Sequence, residues 1–502
     1  MREVCRILHH QLSAMKLRSF LLFLGILSGI QSVLCQNTIQ TAINNFASAP
    51  EFTNSSISFL AVDLTSGDRI AAYNPELSIP TASTAKIFST ASAIDILGPN
   101  YRPETRLYFD GVIDSLGTLN GNIWIRGGGD VSLGSRFFND PGKELDFLKK
   151  WTDTLQKMGV KVIAGSIIAD GSEFGYTGVP YGWAWNDMGN YYGAGPAGIC
   201  LYDNMIRLKF KTGSLVGSAT ELISVYPKID GLIIHNYITS QNVSGDNAYI
   251  YGGPYSLDRF AEGALPLNRP SYEVEGSMPD PEYQLAVEFV KVLTEAGITI
   301  KEGPKSVRRN DIIVNNRYST GYKLFLTHKG EKISDIATLT NMRSVNLFAE
   351  GLVCLIGYKR VGRGTTDEGL KQIEKYWEEK ISLNGMFLKD GSGLSRSNGI
   401  SAVHFCRILK AMAESKNGNI FFETLPVAGR SGTLTNLCKG QPGQGRVVAK
   451  SGTMNRVKSY AGYVNSKSGK KIAFAITVNN YTSNSSAVAD KIEKVLNTLA
   501  VY

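Results

Sequence analysis

Short runs rich in β-branched and aromatic residues stand near both ends of this 502-residue chain. SISFLAVDL and RIAAYN predict two strands joined by the turn Thr65-Ser66-Gly67-Asp68, an antiparallel hairpin. RVVAKSG, SYAGYVNS and KKIAFAITVNN predict three more. Helical spacing of apolar residues marks NTIQTAINNFAS, a segment from about Ser83 to Leu97, ISDIATLTNM, SVNLFAEGLVCLIGY, EGLKQIEKYWEEK, and a last helix from about Ser486 to Ala500. Two N-terminal and three C-terminal strands complete one five-stranded antiparallel sheet flanked by helices, an α+β domain built from both chain ends.

Between residues 103 and 322 the pattern changes. Glycine-rich turns (GGGD at 127–130, GGP at 252–254), aromatics and short alternating runs dominate, with helices predicted in ELDFLKKWTDTLQKMG and DPEYQLAVEFVKVLTEAG. We expect a large, mostly β-rich insertion of two subdomains at 103–322, and a sheet domain formed by residues 36–102 and 323–502. The chain shows no internal repeat and no low-complexity tract.

Residues 1–35 are set apart from the fold. Lys16 and Arg18 precede the uncharged run LLFLGILSGIQSVLC, which has the form of a signal peptide cleaved near Cys35–Gln36. Met15 offers a second start. A lipid-modified Cys35, disfavoured by Leu34, and an uncleaved anchor are the rival readings. The chain is expected to be exported to the cell envelope or periplasm. Cleavage lowers the net charge from +9 to about +6. That suits an anionic envelope and, without a basic-aromatic pattern, excludes a nucleic-acid binder. Four cysteines remain, Cys200, Cys354, Cys406 and Cys438, with no C-x-x-C; Cys354 and Cys406 lie in apolar helical stretches that suit buried free thiols. His9, His10, His235, His328 and His404 lack metal-ligand spacing, and no G-x-S-x-G elbow is present. No metal and no cofactor is expected.

The chemistry rests on Ser83-Thr84-Ala85-Lys86. Serine and lysine three apart at a helix start lie one turn apart on one face, where a neutral lysine can take the serine proton. S-x-x-K recurs at Ser13–Lys16 and Ser468–Lys471, so partners are needed. Acyl transfer requires a proton relay to the leaving nitrogen, a cation for the substrate carboxylate, and oxyanion donors. Ser344-Val345-Asn346 supplies a hydroxyl and an amide. Lys450-Ser451-Gly452-Thr453 ends a strand, its glycine letting substrate approach the strand edge. Matches at Ser240–Asn242, Ser415–Asn417, Lys211-Thr212-Gly213 and Lys467-Ser468-Gly469 fail on order or context.

These three motifs in this order resemble those of the serine D,D-peptidases among the penicillin-binding proteins. The low-molecular-mass D-alanyl-D-alanine carboxypeptidase/endopeptidase family with a large insert between its first two motifs is the nearest resemblance; 261 residues separate Ser83 from Ser344. GGGDVSL, GWAWNDMGNYYGA, DGSGLSRSNGIS, LPVAGRSGTL and KSGTMNRVKSYAGYV carry the likeness across most of residues 36–502. Ser451 replaces the usual Thr and Val345 the commoner Asp, leaving the working side chains intact.

The resemblance implies a serine transpeptidase/β-lactamase-like fold acting on peptidoglycan stem peptides and acylated by β-lactams. It implies Ser83 as nucleophile, Lys86 as base (a duty Ser344 shares in some readings), and Ser344 as relay. Asn346 orients Lys86 and substrate. Lys450, Ser451 and Thr453 hold the substrate carboxylate, and backbone N–H groups of Ser83 and Thr453 form the oxyanion hole. For Lys86 to be neutral, burial and the Lys450 charge must lower its pKa. Arg396 is a candidate at the cleft border, and Trp183 and Asp187 are candidates to meet a diamino-acid amine. Two rivals stand beside this reading. One is a β-lactamase-like hydrolase, for which the deacylating E-x-x-L-N is missed by one residue at Glu379–Asn384. The other is an envelope-binding protein with a decayed site.

Overall fold

The computed structural model describes residues 38–314 and 318–502; the expected leader and its cleavage point lie outside the described residues. Alternate residues of the strand Ser56–Asp63 (β1) enter different apolar layers: Phe59 and Ala61 join one cluster, Leu60 another. Both faces are therefore buried, which is why the strand reads as an almost unbroken apolar run. Arg69–Tyr73 (β2), Val447–Met454 (β3), Val457–Asn465 (β4) and Lys471–Asn479 (β5) complete an antiparallel sheet of order β3-β4-β5-β1-β2. Phe59 pairs with Ile476 and Ala61 with Phe474, so large residues meet on one face. On the other face Ala461, Ala473 and Ala475 keep the surface low and let helices come close.

Five helices share one apolar core with that alanine face: Lys86–Ile96 (α1), Ile333–Arg343 (α2), Asn346–Val361 (α3), Thr366–Glu378 (α4) and Ala402–Glu414 (α5), of which α5 lies directly on the sheet. Helix Ser485–Val501 (α6) and the helix of residues 38–47 cover the opposite face through Ile39, Ile43, Val488, Ile492 and Leu496. Helix α1 is buried all round from Lys86 to Ile94, as befits a helix enclosed by its neighbours. The expected helix from Ser83 begins instead as a 3-10 turn, Ala82–Ala85, before α1.

The insertion is β-rich, as expected. Its largest sheet runs in the order Gly303–Ser306, Ser166–Asp170, Ile123–Arg126, Glu104–Asp110, Tyr322–Lys329. The expected boundary at 322/323 cuts the last of these strands, which pairs antiparallel with Glu104–Asp110 and so belongs to the insertion. Local patterning cannot show a partner that distant in sequence. Helices Asp146–Lys157 and Pro281–Glu295 pack on this sheet through Trp151, Leu155, Leu285 and Phe289. A three-stranded sheet of Ile233–Gln241, Asp258–Pro266 and Asn247–Tyr251 shares the same core. Cys200, Cys354, Cys406 and Cys438 are free and buried.

Candidate active site

The turn carrying Ser83 is wedged between two glycines. A Cβ on Gly452 of β3 would lie 2.5 Å from the Thr81 carbonyl oxygen and 2.9 Å from the Thr84 nitrogen. A Cβ on Gly393, whose φ is +81°, would lie 1.9 Å from the Ala82 carbonyl oxygen. Gly452 thus serves strand-to-turn packing more directly than the substrate access expected of it. Ser459 of β4 completes the clamp, its Oγ donating to the Thr81 carbonyl at 2.5 Å and lying 3.1 Å from Thr84 Oγ1.

At the first position of α1, Lys86 is fully buried. Its Nζ donates to Ser83 Oγ at 3.0 Å, Asn346 Oδ1 at 2.6 Å and the Ser392 carbonyl at 2.8 Å. Ser344 links α2 to α3 in a left-handed conformation (φ +59°), which turns its hydroxyl toward β3. There Lys450, also fully buried, donates to Ser344 Oγ at 3.0 Å. A conformation this rare outside glycine persists only where surrounding packing imposes it. Asn346 opens α3 and donates from Nδ2 to the Tyr192 carbonyl at 2.8 Å, tying the site to the insertion. The motifs separated in sequence therefore meet as two serine–lysine pairs.

Burial lowers the Lys86 pKa to about 7, and the carboxyl groups of Asp390 and Glu350 oppose the fall. Lys450 is held well below the ordinary lysine range by burial and then by the Lys86 charge. Burial is thus the main cause of the Lys86 shift, the two lysine charges repel each other, and two acids unnoticed in the sequence counter the burial of Lys86. Glu350, fully buried on α3, accepts from the N–H groups of Gly391 (2.9 Å) and Ser392 (2.7 Å). Burial, then the neighbouring Asp390, raises its pKa to about 8. Asp390 accepts from the N–H groups of Gly393 and Ser395 and from Asn398 Nδ2. These acids fold DGSGLSRSN into a tight turn that aims the Ser392 carbonyl at Lys86. One clue to Glu350 was legible: it is the sole acid of an apolar helix, one turn beyond Asn346.

Ser83, Ser344, Asn346, Arg396, Asp187 and Thr453 line an open cavity of about 620 Å³. Ser451 Oγ donates to Thr433 Oγ1 at 2.8 Å, adding a hydroxyl that sequence reasoning missed. Lys458 Nζ donates to Thr453 Oγ1 at 3.0 Å. Arg396 donates to the Asn455 carbonyl at 3.2 Å. Burial raises the Asp187 carboxyl above the ordinary range, with Tyr192 and Arg396 opposing. Trp183 departs from expectation. It is buried, donates its indole N–H to Asp390 Oδ2 at 2.9 Å, and braces the turn from beneath without forming part of the cavity wall. Lys211, at the end of an insertion strand, and Ser468, in the turn between β4 and β5, lie outside the cavity wall.

Two Ser–Lys pairs facing one cavity, set on a five-stranded antiparallel sheet under an all-helical layer, define a serine acyl-transfer hydrolase. The model of the D-Ala-D-Ala carboxypeptidase 3 (S13) family matches residues 39–500, and the chain belongs to that family. It is a serine-type D-Ala-D-Ala carboxypeptidase. It is 24% identical over 482 residues to the D-alanyl-D-alanine carboxypeptidase DacB of Haemophilus influenzae, covering 89% of this chain and 94% of that protein. It is 25% identical over 443 residues to the D-alanyl-D-alanine carboxypeptidase of Actinomadura sp. (strain R39), covering 84% of this chain and 77% of that protein. The crystal structure of penicillin-binding protein 4 from Haemophilus influenzae has the same fold. Its TM-score is 0.77 at 22% identity, over 92% of this chain and 99% of that one.

Glu350, raised to about 8, is mostly neutral where Lys86 titrates. In Glu350→Gln the midpoint of the pH dependence of penicillin acylation is therefore expected to stay where the wild type has it. Acylation rates measured from about pH 5 to pH 9 check this; a midpoint moved to lower pH shows that Glu350 carries a charge there.

Proposed function

We propose that this chain trims and cuts peptidoglycan stem peptides, as a D,D-carboxypeptidase and as a D,D-endopeptidase, through an acyl-enzyme on Ser83. The observation that carries the reading is the Lys86–Ser83 hydrogen bond of 3.0 Å beside a lysine whose pKa lies at about 7. Neutral Lys86 takes the Ser83 proton as Oγ attacks the carbonyl carbon of the D-alanyl bond. Backbone N–H groups of Ser83 and Thr453 receive the developing oxyanion. As the C–N bond breaks, Ser344 passes a proton to the leaving amine, which departs as D-Ala or as the cross-linked strand. Water then attacks the ester and Ser83 recovers its proton.

Lys450, Ser451 and Thr453 hold the terminal carboxylate, with Thr433 fixing the Ser451 hydroxyl. A carboxylate between them restores the Lys450 charge that burial suppresses. Retention of both Ser–Lys pairs supports this reading over a decayed binding protein, and Glu379 stands outside the cavity wall, which weakens the β-lactamase reading. No helix among the described residues is long and apolar enough to cross a membrane. With the leader at residues 1–35, we place the mature enzyme in the cell envelope, acting on the periplasmic face of the wall. The sheet domain does the chemistry, and the insertion, residues 104–329, shapes the approach to it.

Asp187, contributed by the insertion, lines the cavity with a second acid, Asp203; Asp203 is paired with Arg136, which leaves Asp187 to meet a free amine on the stem-peptide diamino acid. The test is to incubate the mature protein with uncross-linked and cross-linked muropeptides and weigh the products. Loss of one D-Ala from the first and splitting of the second are expected; neither product appearing refutes the proposal. In Asp187→Asn, kcat/KM is expected to fall about tenfold more for an amine-bearing peptide than for its N-acetylated counterpart. Equal losses would leave Asp187 without that role.

A further inference from the structure

In the three-stranded sheet of the insertion, successive side chains point to opposite faces. Ile238, Ile250, Ala261 and Leu265 point into the core. The other face presents two rows across the strands, Tyr251–Phe260–His235 and Tyr249–Glu262–Tyr237. Tyr237 is 60% exposed, Tyr249 45% and Phe260 38%. His235 and Phe260 stack at 4.5 Å with 11° between their planes, and Tyr249 and Tyr251 lie 6.4 Å apart. Asp258 Oδ1 lies 2.9 Å from His235 Nε2 and fixes the ring. Burial in the insertion core does not account for a patch of rings left open to solvent.

This face runs into the active site. Tyr249 belongs both to it and to the cavity wall. The loop bearing Asp187 sits on the same strand: Ile250 N–H donates to Asn190 Oδ1 at 2.9 Å, and a Cβ on Gly189 would lie 2.0 Å from the Ile250 carbonyl oxygen. That loop adds Trp185 and Tyr191, both exposed, near the cavity mouth. An aromatic path therefore leads from the place where the stem peptide is cut to an open sheet face.

We propose that this face is a docking platform for the glycan strand of the substrate, a polymer of N-acetylated amino sugars; the proposal rests on the peptidase reading above. A pyranose ring has an apolar C–H face that stacks on aromatic rings and a polar rim that meets carboxylate and imidazole groups. Here rings alternate with Glu262, Asp258 and His235 in that manner, and the face offers few aliphatic side chains to fill the core of a protein interface. Two strand spacings make it about 10 Å wide and two rows make it about 7 Å long, room for about two sugar rings. A peptide held in the cavity brings its own glycan to this face, so weak stacking acts at high effective concentration.

The test compares Tyr237→Ser/Phe260→Ser with the wild type on intact peptidoglycan and on free pentapeptide. Turnover of the polymer is expected to fall on the order of tenfold, while D-Ala release from the free peptide stays unchanged. Penicillin labelling reports whether the double variant folds, and Tyr237→Glu alone repeats the test if it does not. Separately, N-acetylglucosamine oligosaccharides titrated into penicillin-blocked enzyme should perturb the intrinsic fluorescence of the wild type and not of the variant. Equal turnover of polymer by both, with no oligosaccharide response, overturns the platform. A concentration-dependent dimer lost in the variant overturns it also, assigning the face to a second copy of the chain. A wild type inactive on free pentapeptide refutes the peptidase reading instead, and the sugar titration stays interpretable on its own.

Discussion

Ser83→Ala is expected to release no D-Ala and to take up no labelled penicillin, a loss of at least about 10⁴-fold. The hydroxyl at position 83 accepts from Lys86 at 3.0 Å and borders the cavity. Its neighbours cannot replace it. Ser344 Oγ is engaged with Lys450, and Thr84 is buried against Ser459 on the far side of the turn. Removing Oγ also leaves no stranded charge, since Lys86 keeps Asn346 and the Ser392 carbonyl as acceptors. The variant should therefore fold and still bind stem peptides reversibly. Circular dichroism, a denaturation curve and a fluorescent-penicillin gel check these points together. Persistent covalent labelling of the variant would place the nucleophile elsewhere and undo the assignment of every other site residue.

Much of this site was legible because its spacing is local. Ser83 and Lys86 lie one turn apart whatever surrounds them, and Lys450 ends a recognisable strand. The link between them was legible only as order along the chain, since the Lys450–Ser344 pair spans 106 residues that no local pattern connects. What escaped depends on packing. Glu350 and Asp390 are ordinary acids in sequence; they gain meaning when the fold buries both beneath Lys86 and gives them backbone N–H donors. Gly452 was assigned to substrate access because the turn it clears, at Thr81 and Thr84, comes from the other end of the chain. Trp183 was a candidate to meet the same amine as Asp187, four residues further on, yet its indole turns inward to Asp390. The five-stranded sheet was readable because its strands are apolar on both faces. The edge of the insertion was not, because its last strand, Tyr322–Lys329, is half-exposed and finds its partner only in Glu104–Asp110, far away in sequence.

Lys86→Met is expected to keep the fold and lose acylation by about 10²- to 10⁴-fold, the range for removing a positioned general base. Methionine fills nearly the same buried volume without a proton acceptor. The pH profile separates this role from simple damage. With a pKa of about 7, Lys86 is mostly protonated below neutrality. Wild-type acylation should then rise about tenfold per pH unit up to about 7 and level off above it. The variant should lack that limb. Stability gives an independent reading of the same group. An unfolded lysine stays protonated up to about 10.5, so between about 7 and 10.5 the unfolded chain binds the extra proton and wild-type stability rises with pH. Removing Lys86 should flatten that rise, while Lys450, freed from a neighbouring charge, titrates at higher pH than before. A variant that acylates at the wild-type rate with the same limb would show that Lys86 is not the base. A slow residual rate with a limb displaced to higher pH would show that Ser344 and Lys450 can take the proton when Lys86 is gone.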